Sequence, residues 1–315
     1  MRSPHLLLAF ALLVAPSSQV AAQTTYPLVL DNCGSQLVVT KAPERVVAIK
    51  STAAEMLLAL GVGDRIVGLG FQDGPAPAPW TAKAAALPVL SDKMPSGEVV
   101  LETEPDFIYA GWESAFAADG VGERATLAAF GVPGYVAPAA CRSLKPAKLT
   151  FDDVFSEVTE MGAIMDAGAA AERLVAEQKA QLATIASDPR GLTALWYSSG
   201  TKTPYVGAGS GAPQMMLEAL GLDNIMAEVD EGWMSASWEA VVDANPDVIV
   251  LVDAAWNSAA QKRRLLSENP VTSQLDAVRN ERYLVVPFPA SEAGIRNVPA
   301  TADMARQLAG LSFIP

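Results

Sequence analysis

Aromatic, cationic and polar side chains follow the buried segments that we predict to be strands. In parallel sheets such positions meet at the carboxyl edge, where α/β proteins bind their ligands. Lys50 and Arg296 are cations in an acidic sequence, which favours an anionic ligand, while aromatic rings suit a planar or bulky organic one. The predicted ligand-binding residues are Lys50, Ser51, Gln72, Trp112, Glu113, Tyr197, Ser198, Tyr205, Gly209, Ser210, Trp233, Trp256 and Arg296.

A glycine-rich segment, VGAGSG at residues 206–211, leads from a predicted loop into a predicted helix. Free backbone N–H groups at a helix start can hold a phosphate or a carboxylate. The segment does not follow the G-x-G-x-x-G pattern, so it gives little support for a dinucleotide site. Contact with an anion and a simple tight turn are both open interpretations.

The sequence offers little for catalysis or for a protein-bound metal. Its one histidine, His5, lies in the N-terminal leader, so the remaining chain lacks the usual base for a serine nucleophile and the commonest zinc ligand. We therefore predict no catalytic residue, no cofactor and no metal site. The alternative is a two-lobed periplasmic hydrolase or lyase that uses Asp73, Glu113 or Lys50.

Two cysteines, Cys33 and Cys141, form an even pair in a chain with an export leader. In an oxidising compartment such a pair usually forms a disulfide, which would close a loop of roughly a hundred residues and contribute about 4 kcal/mol in the chain-entropy model. Two separate buried thiols are the alternative.

Nearly the same α/β unit occurs twice, as SGEVVLETEPDFIYAGW at residues 96–112 and as SWEAVVDANPDVIVLV at residues 237–252. Each copy has a glutamate (Glu98, Glu239) at the start of a short helix, then a Pro-Asp pair and a buried strand. This order is typical of a parallel sheet with helices on its faces. The repeat predicts an α/β fold with two similar lobes and a cleft between them.

The first residues are typical of a secretory signal peptide. Arg2 precedes an apolar run at residues 6–14 that is too short to span a membrane, and small residues precede a predicted cleavage after Ala22. No cysteine stands at that site, which argues against a lipid anchor, so we expect a periplasmic protein. The predicted organisation is a signal peptide at 1–22, an N-terminal lobe at 23–150, a helical linker at 151–188 and a C-terminal lobe at 189–315.

Composition restricts the partners. The formal net charge is −13, which argues against nucleic acid and anionic membrane surfaces. Half of the residues are hydrophobic, which argues against an intrinsically disordered chain.

The segment APERVVAIKSTAAEMLLALGVGDRIVGLG at residues 42–70, with both repeated units, resembles periplasmic substrate-binding proteins of the ferric-siderophore, haem and cobalamin class. The resemblance implies two Rossmann-like lobes joined by one rigid helix, a ligand between them, and delivery to an inner-membrane ABC permease dimer. It also implies that Glu98 and Glu239 pair with arginines of the permease; the alternative is two first-turn acids favoured by the helix dipole.

A narrower likeness connects VLSDKMPSGE, PYVGAGSGAPQM and VPFPASEAGIRNV to a clade of importers assigned to a deazaflavin coenzyme precursor. We therefore predict a monomeric, non-catalytic binding protein for a medium-sized organic or metal-chelate ligand, with an anionic deazaflavin as the narrower candidate. Corrinoids, ferric siderophores and haem are alternatives, and haem would need a tyrosine ligand such as Tyr197 or Tyr205.

Overall fold

The structure is a computed structural model that describes residues 23–142, 144 and 148–313. The predicted signal peptide lies outside these residues. Within them the strands are β1 Leu28–Asn32, β2 Ser35–Val39, β3 Val46–Ile49, β4 Ile66–Gly70, β5 Val89–Ser91, β6 Phe107–Ala110, β7 Gly134–Val136, β8 Thr193–Ser199, β9 Tyr205–Gly207, β10 Asp223–Asn224, β11 Trp233–Ser235, β12 Val248–Asp253 and β13 Tyr283–Pro287.

The helices alternate with these strands along most of the chain. They are α1 Ser51–Ala59, α2 Thr81–Ala85, α3 Gly97–Leu101, α4 Arg124–Ala129, α5 Phe151–Ile164, α6 Gly168–Leu182, α7 Ala212–Leu220, α8 Trp238–Ala244, α9 Ala259–Glu268, α10 Asp276–Arg279 and α11 Asn297–Ala309. No helix in the described part of the chain combines the length and the apolar character that crossing a membrane requires.

The N-terminal lobe is built on a five-stranded sheet in the order β5-β4-β3-β6-β7, and all of its strand pairs are parallel. Every residue of β3 and β6 is buried, because helices cover both faces of the sheet and the strands are continuous apolar runs. The antiparallel hairpin β1-β2 stands beside this sheet. The prediction of a parallel α/β lobe is confirmed.

The C-terminal lobe contains a second sheet in the order β11-β9-β8-β12-β13, with β10 also paired to β8. Strands β8, β10, β12 and β13 are parallel, whereas β9 and β11 are antiparallel additions at one edge. The sequence predicted loops at β9 and β11. Both have only three residues, too few to show an alternating pattern.

The repeated units occupy equivalent places in the two lobes, since β6 pairs with β3 and β12 pairs with β8. The Asp106 carboxylate accepts the backbone N–H groups of Glu44 and Arg45 just before β3. Asp247 likewise accepts the backbone N–H and the hydroxyl of Thr193 at the start of β8. The aspartate of each Pro-Asp pair therefore has the same role in both lobes: it joins the start of one strand to the start of the neighbouring strand.

The connection between the lobes is an antiparallel pair of helices, α5 and α6. A Cβ on Gly162 of α5 would lie 2.4 Å from the Ala171 Cβ of α6, so only glycine permits this close packing. Val154 packs in the core of the C-terminal lobe, whereas Met161 packs in the core of the N-terminal lobe. The chain therefore crosses between the lobes and returns, where we expected a single helix; it reverses near Asp166, whose φ is 50°. The exact domain limits stay a prediction.

A buried acid on α5 makes stability depend on pH. Glu157 accepts a hydrogen bond from the Tyr109 hydroxyl, and burial raises the pKa of Glu157 from 4.5 to about 7. The folded state thus holds a proton that the unfolded chain releases above pH 4.5 or so. This contribution to the free energy of unfolding is complete below that pH and is lost as the pH rises through about 7, by about 3 kcal/mol in total.

We therefore expect Glu157→Gln to flatten the fall in stability between about pH 4.5 and pH 7, by up to about 1.4 kcal/mol per pH unit. Urea unfolding at several pH values measures this slope. The control is Glu172→Gln, a change at an exposed glutamate of α6. Equal slopes in the wild type and Glu157→Gln would show that Glu157 is ionised in the fold.

Candidate ligand-binding site

A cavity of 530 Å³ lies between the two lobes, a size typical of small-molecule sites. Its walls come from the carboxyl ends of strands and the loops after them: Gly111 follows β6, Ala137 follows β7, and Ser291 follows β13. Among the described residues, the lining consists of Gly111, Trp112, Ala137, Ala139, Ala140, Cys141, Arg142, Leu144, Leu149, Tyr205, Ser210, Gly211, Ala212, Glu231, Gly232, Trp233, Ser291, Glu292 and Ala293.

Four of the predicted ligand-binding residues meet in this lining: Trp112, Tyr205, Ser210 and Trp233. The antiparallel pairing of β9 with β11 brings Tyr205 and Trp233 together. Their rings stack with centroids 5.8 Å apart and planes at 11°. Tyr205 keeps 42% of its surface exposed, so the stack offers a flat apolar face. Contact between these residues and a ligand stays a prediction.

Lys50 lies beneath the cavity, not in its lining. Its side chain is 0% exposed and its ammonium group donates to the Asp73 carboxylate. The same group lies 3.6 Å from the centroid of the Trp112 ring and is also close to Phe71 and Phe288. An internal carboxylate and aromatic rings therefore surround Lys50, and its contact with a ligand stays a prediction.

Arg296 also has an internal partner. Its guanidinium donates to both carboxylate oxygens of Glu55 and to the backbone carbonyl of Pro75. Glu55 lies on α1 of the N-terminal lobe and Arg296 precedes α11 of the C-terminal lobe, so this ion pair connects the lobes. The side chains are 2% and 13% exposed. Contact between Arg296 and a ligand stays a prediction.

The glycine-rich segment at residues 206–211 uses its backbone donors within the fold. The N–H groups of Ala208, Gly209 and Ser210 donate to the carbonyls of Gly232, Val229 and Glu231. The structure thus favours a tight structural turn over the anion contact, and Gly209 is required there because a Cβ would lie 2.0 Å from the Ala227 carbonyl oxygen.

Several predicted residues lie outside the cavity lining that the structure describes. Ser51 and Gln72 bond to nearby backbone: the Ser51 hydroxyl, at the start of α1, accepts the N–H of Asp73 from the loop after β4, and the Gln72 amide donates to the Gly70 carbonyl. Glu113 accepts the backbone N–H of Arg142.

The remaining three belong to the C-terminal lobe. Tyr197 is buried, donates to the Gly200 carbonyl and packs on Trp238. Its neighbour Ser198 is also buried. Trp256 is 61% exposed and packs edge-on against Phe288.

Glu292 is the cavity residue with the most unusual environment, and the sequence analysis missed it. One carboxylate oxygen accepts the indole N–H of Trp112 at 2.8 Å. The other is 3.9 Å from the Lys50 ammonium and makes no hydrogen bond to the described residues. Burial raises the pKa of Glu292 to about 7, against the lowering effect of Lys50. Its position shortly after β13 is the sequence signal that could have identified it, because the cavity is lined by residues that follow strand ends.

The predicted disulfide between Cys33 and Cys141 is present, with a Cα–Cα distance of 5.3 Å. It joins the turn of the β1-β2 hairpin to the segment Ala137–Cys141, which lines the cavity. One wall of the cavity is therefore held covalently.

The two candidate docking glutamates have matching local structures. Glu98 and Glu239 are exposed in the first turns of α3 and α8. Ser96 and Ser237 cap these helices by accepting the N–H of the residue three positions on.

Across the ranges that the structure covers, no group of three or more His, Cys, Asp or Glu is arranged to hold a metal ion.

Comparison with known proteins identifies the class that this fold and cleft define. The chain belongs to the periplasmic binding protein family, whose profile matches residues 46–290. A solved periplasmic binding protein from Veillonella parvula is 26% identical with a TM-score of 0.80, and the match covers 91% of this chain and 98% of that one. The recognition of a two-lobed periplasmic binding protein is confirmed.

Two further relatives carry more specific names. An Fe³⁺-hydroxamate transport system protein from Saccharomonospora viridis is 25% identical with a TM-score of 0.78, covering 90% of this chain and 99% of that chain. The ABC transporter substrate-binding lipoprotein YvrC of Bacillus subtilis, itself uncharacterized, is 25% identical over 90% of this chain and 86% of its own length. These relatives are named for transport and binding rather than for catalysis.

Proposed function

We propose that this chain is the substrate-binding protein of an ABC importer. It captures a medium-sized organic or metal-chelate ligand in the cleft and delivers it, as a monomer, to an inner-membrane permease. The observation that carries the proposal is the 530 Å³ cavity between the lobes, lined by Trp112 and by the stacked Tyr205 and Trp233. The names of the relatives from Saccharomonospora viridis and Bacillus subtilis support the same role.

The side chains proposed for the catalytic alternative are better explained by a binding role. The catalytic alternative relied on Lys50, Asp73 or Glu113. Lys50 and Asp73 are paired with each other beneath the cavity, with 0% and 2% of their side chains exposed. Neither side chain belongs to the described cavity lining, so neither is placed to contact a substrate there.

A ferric hydroxamate, a corrinoid, a haem and a deazaflavin are the candidate ligands. The Saccharomonospora viridis relative is named for an Fe³⁺-hydroxamate system, which favours a chelate that brings its own metal ligands. If haem binds, Tyr205 is better placed than Tyr197 to supply a phenolate ligand. Tyr205 lines the cavity, whereas the Tyr197 hydroxyl donates to a backbone carbonyl.

We further propose that residues 1–22 direct export and are removed, which leaves a periplasmic protein. The Bacillus subtilis relative is named a lipoprotein. Here both cysteines of the sequence are joined in the disulfide, so neither offers a thiol for lipid attachment.

Glu98 and Glu239 are proposed to dock the protein on the permease, one glutamate per lobe. Their equivalent positions in the repeated units suit a partner with two-fold symmetry. Replacing both by alanine is expected to abolish saturable binding to membrane vesicles from cells that make the permease. Co-sedimentation with the vesicles measures this directly and does not require a known ligand.

The matched control removes two exposed glutamates from α6, Glu172→Ala with Glu177→Ala, and so changes the net charge equally. This control is expected to bind the vesicles like the wild type. Undiminished binding by the Glu98→Ala, Glu239→Ala protein would refute docking by these residues. Absence of saturable binding by the wild type would refute the importer itself.

A further inference from the structure

The charges beneath the cavity do not balance. Lys50 supplies one cation, while Asp73 and Glu292 supply two carboxyl groups within its reach. Asp73 takes the direct hydrogen bond from Lys50. Glu292 is left at 3.9 Å with one buried oxygen that has no hydrogen-bond partner among the described residues. An acceptor of this kind is costly to bury and is satisfied by a proton or by a donor from outside.

Glu292 also belongs to the cavity wall, so a ligand in the cavity lies beside its carboxyl group. Its side chain is 14% exposed, and Trp112 fixes the orientation of the carboxyl plane by holding the other oxygen. Glu231 adds a second carboxylate to the lining, while Arg142 is the one cation among the described lining residues and is exposed. The wall as a whole is therefore richer in acceptors than in cationic donors.

Apart from Arg142, the cations near the cavity are paired within the fold. Lys50 is bound to Asp73, Arg296 is bound to Glu55, and the N–H groups of Ala208, Gly209 and Ser210 in the glycine-rich turn donate within the fold. What the cavity offers instead is the flat face of Tyr205 and Trp233 together with the carboxyl group of Glu292. Aromatic faces attract both planar rings and cations.

We infer that the cavity selects a planar or aromatic ligand that presents N–H donors, neutral or cationic, to Glu292, and that it discriminates against an anionic ligand. This inference rests on the proposed function and narrows its ligand class. It speaks against the anionic deazaflavin as the preferred cargo.

Two acridines of opposite charge test the selection on one ring system: aminoacridine, a planar cation with N–H donors at neutral pH, and acridine carboxylate. Isothermal titration calorimetry of the whole protein is expected to show binding of aminoacridine at least about tenfold tighter than binding of the carboxylate. Glu292→Gln is expected to reduce that preference by about tenfold, because the amide keeps the size of the side chain and removes its charge. Glu172→Gln, far from the cavity lining, is the matched control and is expected to keep the wild-type ratio.

Equal or tighter binding of the carboxylate by the wild type, or binding of neither compound, overturns the inference whatever the variant does. An unchanged ratio in a folded Glu292→Gln protein also overturns it. The vesicle assay for permease docking uses no acridine, so failure of the ligand class and failure of the importer role are separate results.

Discussion

Reduction of the Cys33–Cys141 disulfide is expected to lower the free energy of unfolding by about 4–5 kcal/mol. The cysteines are 108 positions apart, so the cross-link removes a large amount of conformational entropy from the unfolded chain. The loss is close to the whole stability of many single domains. The effect reaches the site as well, because Cys141 lies in the cavity wall.

Urea unfolding with and without a phosphine reductant measures the effect. The Cys33→Ser, Cys141→Ser protein is the control: it is expected to match the reduced wild type and to be insensitive to the reductant. A change below about 1 kcal/mol in the wild type would contradict the expectation and would mean that the unfolded chain is already constrained around these residues.

Removing Glu55 is expected to cost about 3–5 kcal/mol of stability, because it leaves the Arg296 guanidinium largely buried without its carboxylate. Glu55→Gln keeps the shape of the side chain and isolates the loss of charge. Since the pair joins α1 to the segment before α11, we also expect the lobes to separate more readily. Thermal or urea unfolding gives the first effect, and small-angle scattering gives the second as a larger radius of gyration.

A double variant, Glu55→Met with Arg296→Met, distinguishes the cost of an orphaned charge from the net value of the pair. Apolar replacement of both partners is often neutral or stabilising, so this variant is expected to recover most of the stability lost in Glu55→Gln. If Glu55→Gln is as stable as the wild type, Arg296 finds enough compensation from the Pro75 carbonyl and solvent, and the pair is not what holds the lobes together.

The architecture could be predicted from the sequence because its signals are local. The buried strands β3, β6, β8 and β12 are short and mostly apolar, and the repeated Pro-Asp unit marked equivalent places in both lobes. The disulfide followed from an even pair of cysteines. Edge strands β9 and β11 were missed because three residues carry no period, and the resemblance implied one rigid linker helix where the chain forms the pair α5–α6.

The electrostatics of the site could not be predicted, since they depend on residues distant along the chain. Lys50 was recognised at a strand end, but its partner Asp73 is 23 positions away. Arg296 was recognised too, but Glu55 is 241 positions away. Each cation seemed available for a ligand until the fold placed a carboxylate beside it. Glu292 was overlooked because it lies several residues beyond the end of β13, so only its general place after that strand marked it.

Mass spectrometry under non-denaturing conditions, on protein purified from the cells that make it, tests the central claim most directly. We expect one small molecule bound per chain, retained by the Glu172→Gln protein and lost when Trp112 and Trp233 in the cavity lining are replaced by alanine. A bound molecule that survives both tryptophan replacements, or one that the protein converts to a product, would contradict the assignment of this cleft as the binding site of a transport protein.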